Sequence, residues 1–228
     1  MATGDIGAET RRILVYGVTG SGKTTLARQL GAATGLPWHA VDDLTWEPGW
    51  VPVPDEEQRR RIAVICAEPA WILDSAYGAW LDVVLDRADL VVGLDYPRWF
   101  SLQRLLRRCI VRLVDRKPIC NGNYESFRVL LARDSIVAWH FRSFARKRAR
   151  IRSWELDPAR PPVRRLRSAR GADGWLRGVR ALRRSPASSV AAEAPSEISD
   201  PDPGSAKADA RWANEGSAGI AEAQPRDG

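Results

Sequence analysis

Residues that bind transition metals or form disulfides are scarce in this chain of 228 residues, which holds only two histidines and three cysteines. With His39 and His140 as the only imidazoles and with Cys66, Cys109 and Cys120 far apart, a zinc centre built on Cys/His clusters has no ligand set. The odd cysteine count and the lack of any C-x-x-C spacing point away from a disulfide framework and toward a reducing compartment. No stretch approaches the ~20 consecutive apolar residues of a membrane span. The leader Met1-Ala2-Thr3-Gly4-Asp5 carries no apolar signal region, so a cytoplasmic protein is expected. No internal repeat suggests a solenoid or a propeller.

What the chain does have is 44% hydrophobic residues, enough to build the core of one α/β domain, expected over residues 1–184. From about Ser185 the composition turns to Ala, Ser, Pro, Glu, Asp and Gly. Such a segment cannot offset the entropy of ordering itself, and residues 185–228 are expected to form a disordered tail. The formal net charge of +7 is unevenly spread, because the arginines gather between Arg98 and Arg184 while the end of the chain is acidic. A basic face suits polyanions: nucleotide phosphates, a phosphorylated acceptor or nucleic acid.

The most specific signal is Gly17-Val18-Thr19-Gly20-Ser21-Gly22-Lys23-Thr24, the G-x-x-x-x-G-K-T pattern of a phosphate-binding loop. It lies between the apolar run Ile13-Leu14-Val15-Tyr16 and a helix-like stretch that begins Thr25-Leu26-Ala27. Glycines let backbone N–H groups curl around an anion, and the helix that follows points its positive dipole end at the same place. Gly17, Thr19, Gly20, Ser21, Gly22, Lys23, Thr24 and Thr25 are therefore expected to bind ATP. Lys23 would reach the β- and γ-phosphates, and the Thr24 hydroxyl would ligate Mg²⁺.

Four further strands are predicted: Pro37–Val41 ending at Asp42-Asp43, Trp71–Leu73 closed by Asp74-Ser75, Leu90–Leu94 ending at Asp95, and Val163–Leu166. Their unbroken apolar runs suit a parallel sheet covered on both faces. Helices are predicted from Lys23 to Ala33, Asp55 to Ala67, around Trp80 to Leu85, from Pro97 onward, from Tyr124 to Arg150, and from Gly174 to Leu182, with a Trp- and Pro-rich loop from Trp46 to Pro52. The helix after Pro97 has an expected apolar stripe of Leu102, Leu105, Leu106, Cys109, Ile110 and Leu113. On another face Arg104, Arg108, Arg112 and Arg116 stand four apart. Like charges at that spacing repel, so the stripe makes most sense if anions neutralise it.

Taken together, these pieces resemble the adenylate kinase-like branch of P-loop kinases, and within it the bacterial adenylate kinase-related or DNA topology modulation (FlaR-type) proteins. The matching segments are Gly17 to Thr24, Asp42 to Trp46 with Pro48-Gly49-Trp50, Trp71 to Asp74, Leu94 to Arg98 and Asn121 to Ser126. The resemblance spans about Arg12 to Arg183. It implies a three-layer P-loop NTPase fold, with a five-stranded parallel sheet, helices on both faces and a helical arginine-rich lid over about residues 98–150. The resembling proteins usually carry Gly where Ser75 stands and Arg where Tyr124 stands.

By carry-over, Asp74 or Asp95 holds the Mg²⁺ shell. Asp74 is favoured because the strand beside the P-loop strand in the resembling kinases is the third in sequence, while Asp95 could instead cap the helix that Pro97 begins. Asp42 and Asp43 would face the phosphoryl acceptor, with Asp43 placed to orient or deprotonate an acceptor hydroxyl. Trp46 and Trp50 could stack on a planar acceptor or form a hydrophobic plug. Arg112 and Arg116 would stabilise the transferring phosphoryl group, with Arg104 and Arg108 nearer the acceptor or the nucleotide. The reading is an ATP·Mg²⁺-dependent phosphotransferase with a small acceptor. Its rival is a nucleotide-binding protein whose basic helices contact nucleic acid.

Overall fold

The computed structural model describes residues 6–7, 9–115, 120–122 and 136–184. The chain divides into two units, Met1–Ala192 and Glu193–Gly228, and the expected tail, 185–228, lies outside the described residues. The sheet holds β1 (Arg12–Gly17), β2 (Trp38–His39), β5 (Trp71–Leu73), β6 (Leu90–Leu94) and β7 (Val163–Leu166) in the order β2-β5-β1-β6-β7. Every pairing within it is parallel, with Ile13 beside Ile72 on one flank of β1 and Val15 beside Val92 on the other. This is the five-stranded α/β arrangement expected from the sequence.

Alternation along β1 divides the core. Ile13 and Val15 point to a face covered by α1 (Lys23–Thr34) and α7 (Ala169–Arg184), through Leu26, Leu30, Trp175 and Leu176. Leu14 and Tyr16 point to the other face, covered by α3 (Asp55–Ala67), α4 (Leu81–Leu85) and α6 (Ile136–Leu156), through Ile62, Val84, Ile151 and Trp154. Burial on both sides explains why these strands read as continuous apolar runs. In β6, Gly93 has a specific reason to lack a side chain. A Cβ there would stand 2.6 Å from Ile151 Cγ2, so glycine is what lets α6 lie close on the sheet.

The structure differs from the sequence reading in several places. Asp42 and Asp43 do not end a strand: they form the first turn of a short helix, α2 (Val41–Thr45), where acidic groups favour the positive helix end. The Trp- and Pro-rich loop is a two-stranded antiparallel hairpin, β3 (Trp46–Glu47) and β4 (Val51–Pro52), turned through Gly49 and Trp50. Helix α5 (Arg98–Asp115) buries Ser101, Leu105 and Cys109, but Leu106 and Ile110 of the expected stripe are exposed. Helix α6 extends to Leu156, six residues past the expected end. Helix α7 begins at Ala169, where Ser168 Oγ accepts the Gly171 N–H at 3.1 Å, and so starts five residues early.

Candidate active site

The phosphate-binding loop leaves the carboxyl end of β1, whose two neighbours in the sheet are both later in the chain, the point where α/β folds of this kind open a ligand crevice. Gly20 and Gly22 hold φ angles of +83° and +94°, which side chains rarely tolerate, and a Cβ on Gly20 would strike the Ser101 carbonyl of α5 at 2.4 Å. Ser21 is buried and its hydroxyl donates to the Val18 carbonyl at 2.7 Å. Lys23 Nζ folds back to the same carbonyl at 3.2 Å. Burial lowers the Lys23 pKa, with the Arg108 charge adding to the effect and Asp42 and Asp74 opposing it. Thr24 and Thr25 are exposed on the first turn of α1.

Asp74, which follows β5, is 5% exposed. Its carboxylate accepts the Val41 N–H at 2.9 Å and the Thr24 hydroxyl. Burial holds this carboxyl above the ordinary range despite those two hydrogen bonds and the nearby Lys23 ammonium. A hydroxyl and a carboxylate side by side at the loop are hard oxygen donors of the kind Mg²⁺ takes. Asp42 lies on the same side and accepts the Tyr77 hydroxyl at 2.7 Å. Burial and the Asp42 charge push the Tyr77 phenol well above its ordinary pKa, so it stays a donor.

Asp43 is exposed one residue on. Asn121, in a left-handed conformation at φ 52°, donates its amide to the Asp43 carbonyl at 2.8 Å and to the Trp46 carbonyl at 2.6 Å. A residue beyond α5 thereby fixes the junction of α2 and β3. Trp46 and Trp50 meet edge to face in the hairpin, with centroids 5.8 Å apart.

The arginine stripe falls differently along its length. The Arg104 guanidinium lies over the loop, 3.1 Å from where a Gly22 Cβ would stand, and packs on the Phe100 ring. Arg108 acts electrostatically on Lys23, and Arg112 is half-buried one turn further on. Arg116 and Tyr124 lie outside the described residues, as does much of the expected lid, 116–119 and 123–135.

No protein-family model and no curated protein matches the chain. Among solved structures it is similar to a gluconokinase from Sinorhizobium meliloti 1021, 17% identical with a TM-score of 0.45, covering 76% of this chain and 95% of that one. A sugar kinase from Janibacter sp. HTCC2649 is 21% identical, with a TM-score of 0.44 and coverage of 78% and 98%. Shikimate kinase from Acinetobacter baumannii, in complex with shikimate, is 17% identical, with a TM-score of 0.45 and coverage of 76% and 93%.

Asp95 is in other surroundings. It follows β6 on the opposite side of β1 and is 3% exposed. Its oxygens are taken by Arg148, by Arg152 at 3.1 Å and by Arg165 at 3.3 Å, and Arg165 also pairs with Glu155 at 2.7 Å. Burial would raise this carboxyl, but the hydrogen bonds and charges of Arg148 and Arg152 outweigh it and leave the pKa below the ordinary value. In the first turn of α5 the Phe100 and Ser101 N–H groups bond the Pro97 carbonyl. Asp95 thus sits in an arginine cluster lining a cavity of about 410 Å³ with Pro97 and Arg167.

Two groups on the inner stripe of α6 went unread in the sequence. His140 is fully buried and its Nδ1 meets the Thr19 carbonyl of the loop at 3.0 Å, so that nitrogen carries the proton. Burial lowers its pKa, with Arg98 and Lys23 adding to the effect. Lys147, two turns further along, is 7% exposed and stands 5.5 Å over the Tyr16 ring. Burial, with the Lys23 charge, pushes this ammonium down to about 7. In sequence Lys147 sits inside Ala145-Arg146-Lys147-Arg148-Ala149-Arg150, which reads as a solvated basic helix. The one hint was a lysine in a region where nearly every other cation is arginine.

Proposed function

We propose that this protein is an ATP·Mg²⁺-dependent phosphotransferase acting on a small acceptor. The observation that carries the reading is the convergence of Lys23 and Thr24, from the loop at the carboxyl end of the central strand, with Asp74 from the end of the neighbouring strand, beside loop glycines whose left-handed φ angles suit a phosphate cradle. Lys23 and the loop N–H groups bind the phosphate chain. Thr24 and Asp74 would hold Mg²⁺, which supplies charge neutralisation on the phosphates. Arg104 and Arg108 add positive charge around the loop, Arg112 and Arg116 would stabilise the transferring phosphoryl group, and catalysis rests on positioning and electrostatics. Asp42, held by Tyr77, and Asp43 beside it are the carboxylates next to the hairpin of Trp46 and Trp50, and we assign that side to the acceptor. Asp43 would orient or deprotonate its hydroxyl. A nucleoside monophosphate, as in the adenylate kinase-like proteins, a sugar or a small acid would each suit the paired indoles and carboxylates.

The direct experiment supplies ATP, Mg²⁺ and a panel of such acceptors and reads ADP. It is paired with thermal melts of wild type and Lys23→Ala. At a hundred times its dissociation constant ATP should add about 2.7 kcal/mol to wild type and nothing to the mutant. A wild-type melt unmoved by ATP·Mg²⁺ would sink the reading.

One observation favours nucleic-acid contact as a second reading. The outer faces of α5 and α6 expose Trp99, Trp139 and Phe141 at 65, 40 and 48%, interleaved with the exposed Arg107, Arg142 and Arg146. Aromatic groups among cations suit stacked bases and a phosphate backbone. Under that reading single-stranded DNA binds with a steep salt slope that Arg107→Ala flattens by about one unit, and ADP stays at background with every acceptor.

A further inference from the structure

The chain has four lysines, Lys23, Lys117, Lys147 and Lys207, and the Lys23 charge acts on Lys147. Lys147 is the unusual one. Its side chain is as buried as the core residues around it, yet no carboxylate lies within ion-pair distance among the described residues. Its surroundings include the Tyr16 ring, the charges of Lys23, Arg146 and Arg150, which disfavour the ammonium, and that of Asp42, which favours it. Asp42 is already engaged by the Tyr77 hydroxyl. A buried ammonium is costly unless an anion meets it, and a ring face compensates only part of that cost.

The placement is rigid. Two turns before Lys147, His140 anchors α6 to the Thr19 carbonyl of the loop; one turn after it, Ile151 fills the space left by Gly93. The next residue, Arg148, is held by Asp95. The stripe His140, Phe144, Lys147, Ile151 and Trp154 is buried along its whole length, so Lys147 cannot swing out to solvent without moving the helix. Tyr16 immediately precedes Gly17, where the phosphate-binding loop begins.

We infer that Lys147 is a second phosphate-binding lysine, which together with Lys23 grips the terminal phosphoryl group of the bound nucleoside triphosphate on the side that faces Asp42. The inference rests on the ATP-dependent reading above and sharpens it by naming which phosphate this residue serves. A lysine suits the position because its compact ammonium fits over the Tyr16 ring, where a guanidinium fork would need more room and more partners. With both lysines on one terminal group, triphosphate and diphosphate are distinguished at this point.

The test is calorimetric titration of the full chain with ATP·Mg²⁺ and, separately, ADP·Mg²⁺, comparing wild type with Lys147→Met. Methionine keeps the length and apolar stem without the charge. The expected result is a roughly 30-fold loss of ATP affinity, the size of one charge-assisted hydrogen bond, with ADP affinity within about threefold of wild type and an unchanged or higher melting temperature. Lys147→Gln, read in the same way, decides the matter if the methionine variant does not fold. Equal losses for ATP and ADP, or none for either, in a folded variant overturn the inference while the ATP-dependent reading stands. Failure of wild type to bind ATP at all removes both.

Discussion

Asp74 and Asp95 occupy equivalent places in the chain, each one residue past a strand that flanks β1, and each is almost fully buried. Their employment is opposite. Asp74 accepts hydrogen bonds from neutral donors, the Val41 N–H and the Thr24 hydroxyl, and burial raises its pKa. Asp95 is surrounded by three guanidiniums, and its pKa is lowered. One carboxylate keeps negative charge at the phosphate loop without a permanent cation bonded to it; the other has spent its charge tying α6 and β7 to the end of β6. A strand-terminal aspartate in such a sheet therefore says little by itself, and the donors that reach it from other elements decide whether it serves a metal or the fold.

The largest effect we expect is on the Asp95 side. Asp95→Asn leaves Arg148 and Arg152 without the Asp95 carboxylate, and Arg165 with Glu155 as its remaining partner. It should cost about 3 kcal/mol in denaturant unfolding, the low end for breaking a buried pair because Arg152 is half exposed. ATP affinity measured on the folded fraction should stay near wild type. If ATP binding falls with stability, the two aspartates are not separable in the way proposed. On the other side, Asp74→Asn should reduce Mg²⁺-dependent turnover roughly 100-fold while leaving stability unchanged or raised, since an amide oxygen can still accept the Val41 N–H and the burial of charge is relieved. A loss of stability as large as that of Asp95→Asn would erase the contrast.

Acid titration gives a smaller and sharper comparison. The Asp95 pKa is lowered by folding, so its contribution is present above the unfolded value near 3.9 and is lost as pH falls through the folded value. The Asp74 pKa is raised, so its contribution is full below that unfolded value and disappears as pH rises through the folded one. Stability differences between wild type and each asparagine variant, measured from pH 3 to 6, should therefore slope in opposite directions. Slopes of the same sign would contradict the geometry. Smallest of all, Tyr77→Phe removes one hydrogen bond to Asp42 and should shift the apparent acceptor affinity by about 1 kcal/mol, with ATP affinity unchanged. An equal change in both would move Asp42 from the acceptor side to the nucleotide side.

The parallel sheet was legible because burial on both faces leaves an unmistakable sequence trace, and the loop because a phosphate cradle constrains residue types one by one. Two-residue strands such as β3 and β4 leave no such trace, since neither is long enough to show an alternation. Helix α2 was missed because what defines its start is remote in sequence: the Asp74 carboxylate reaches Val41 from the end of the neighbouring strand. Gly171 and Gly174 weaken helix propensity, and they hid the start of α7, although Ser168 three residues before Gly171 is a recognisable cap. The α5 stripe was drawn too wide because leucines count as core by composition, whereas only the part of the helix that faces the loop and α6 is covered. Lys147 was invisible because a run of cations in a helix looks the same whether one member points in or all point out. Only the backbone places it on the stripe with His140 and Ile151.

The close approach of Gly93 to Ile151 has a consequence for anyone who reads mutational data on this protein. One methyl group added at Gly93 would meet Ile151 Cγ2 at 2.6 Å, and the tightly packed helix could relieve the clash only by lifting away from the sheet. His140 and Lys147 would move with it, losing the loop carbonyl and the ring that position them. In a survey of inactivating substitutions Gly93 would then score beside Lys23, although it has no side chain with which to meet a ligand. The spacing between a strand and a helix is itself part of the site proposed here, recorded in the sequence as a missing carbon atom.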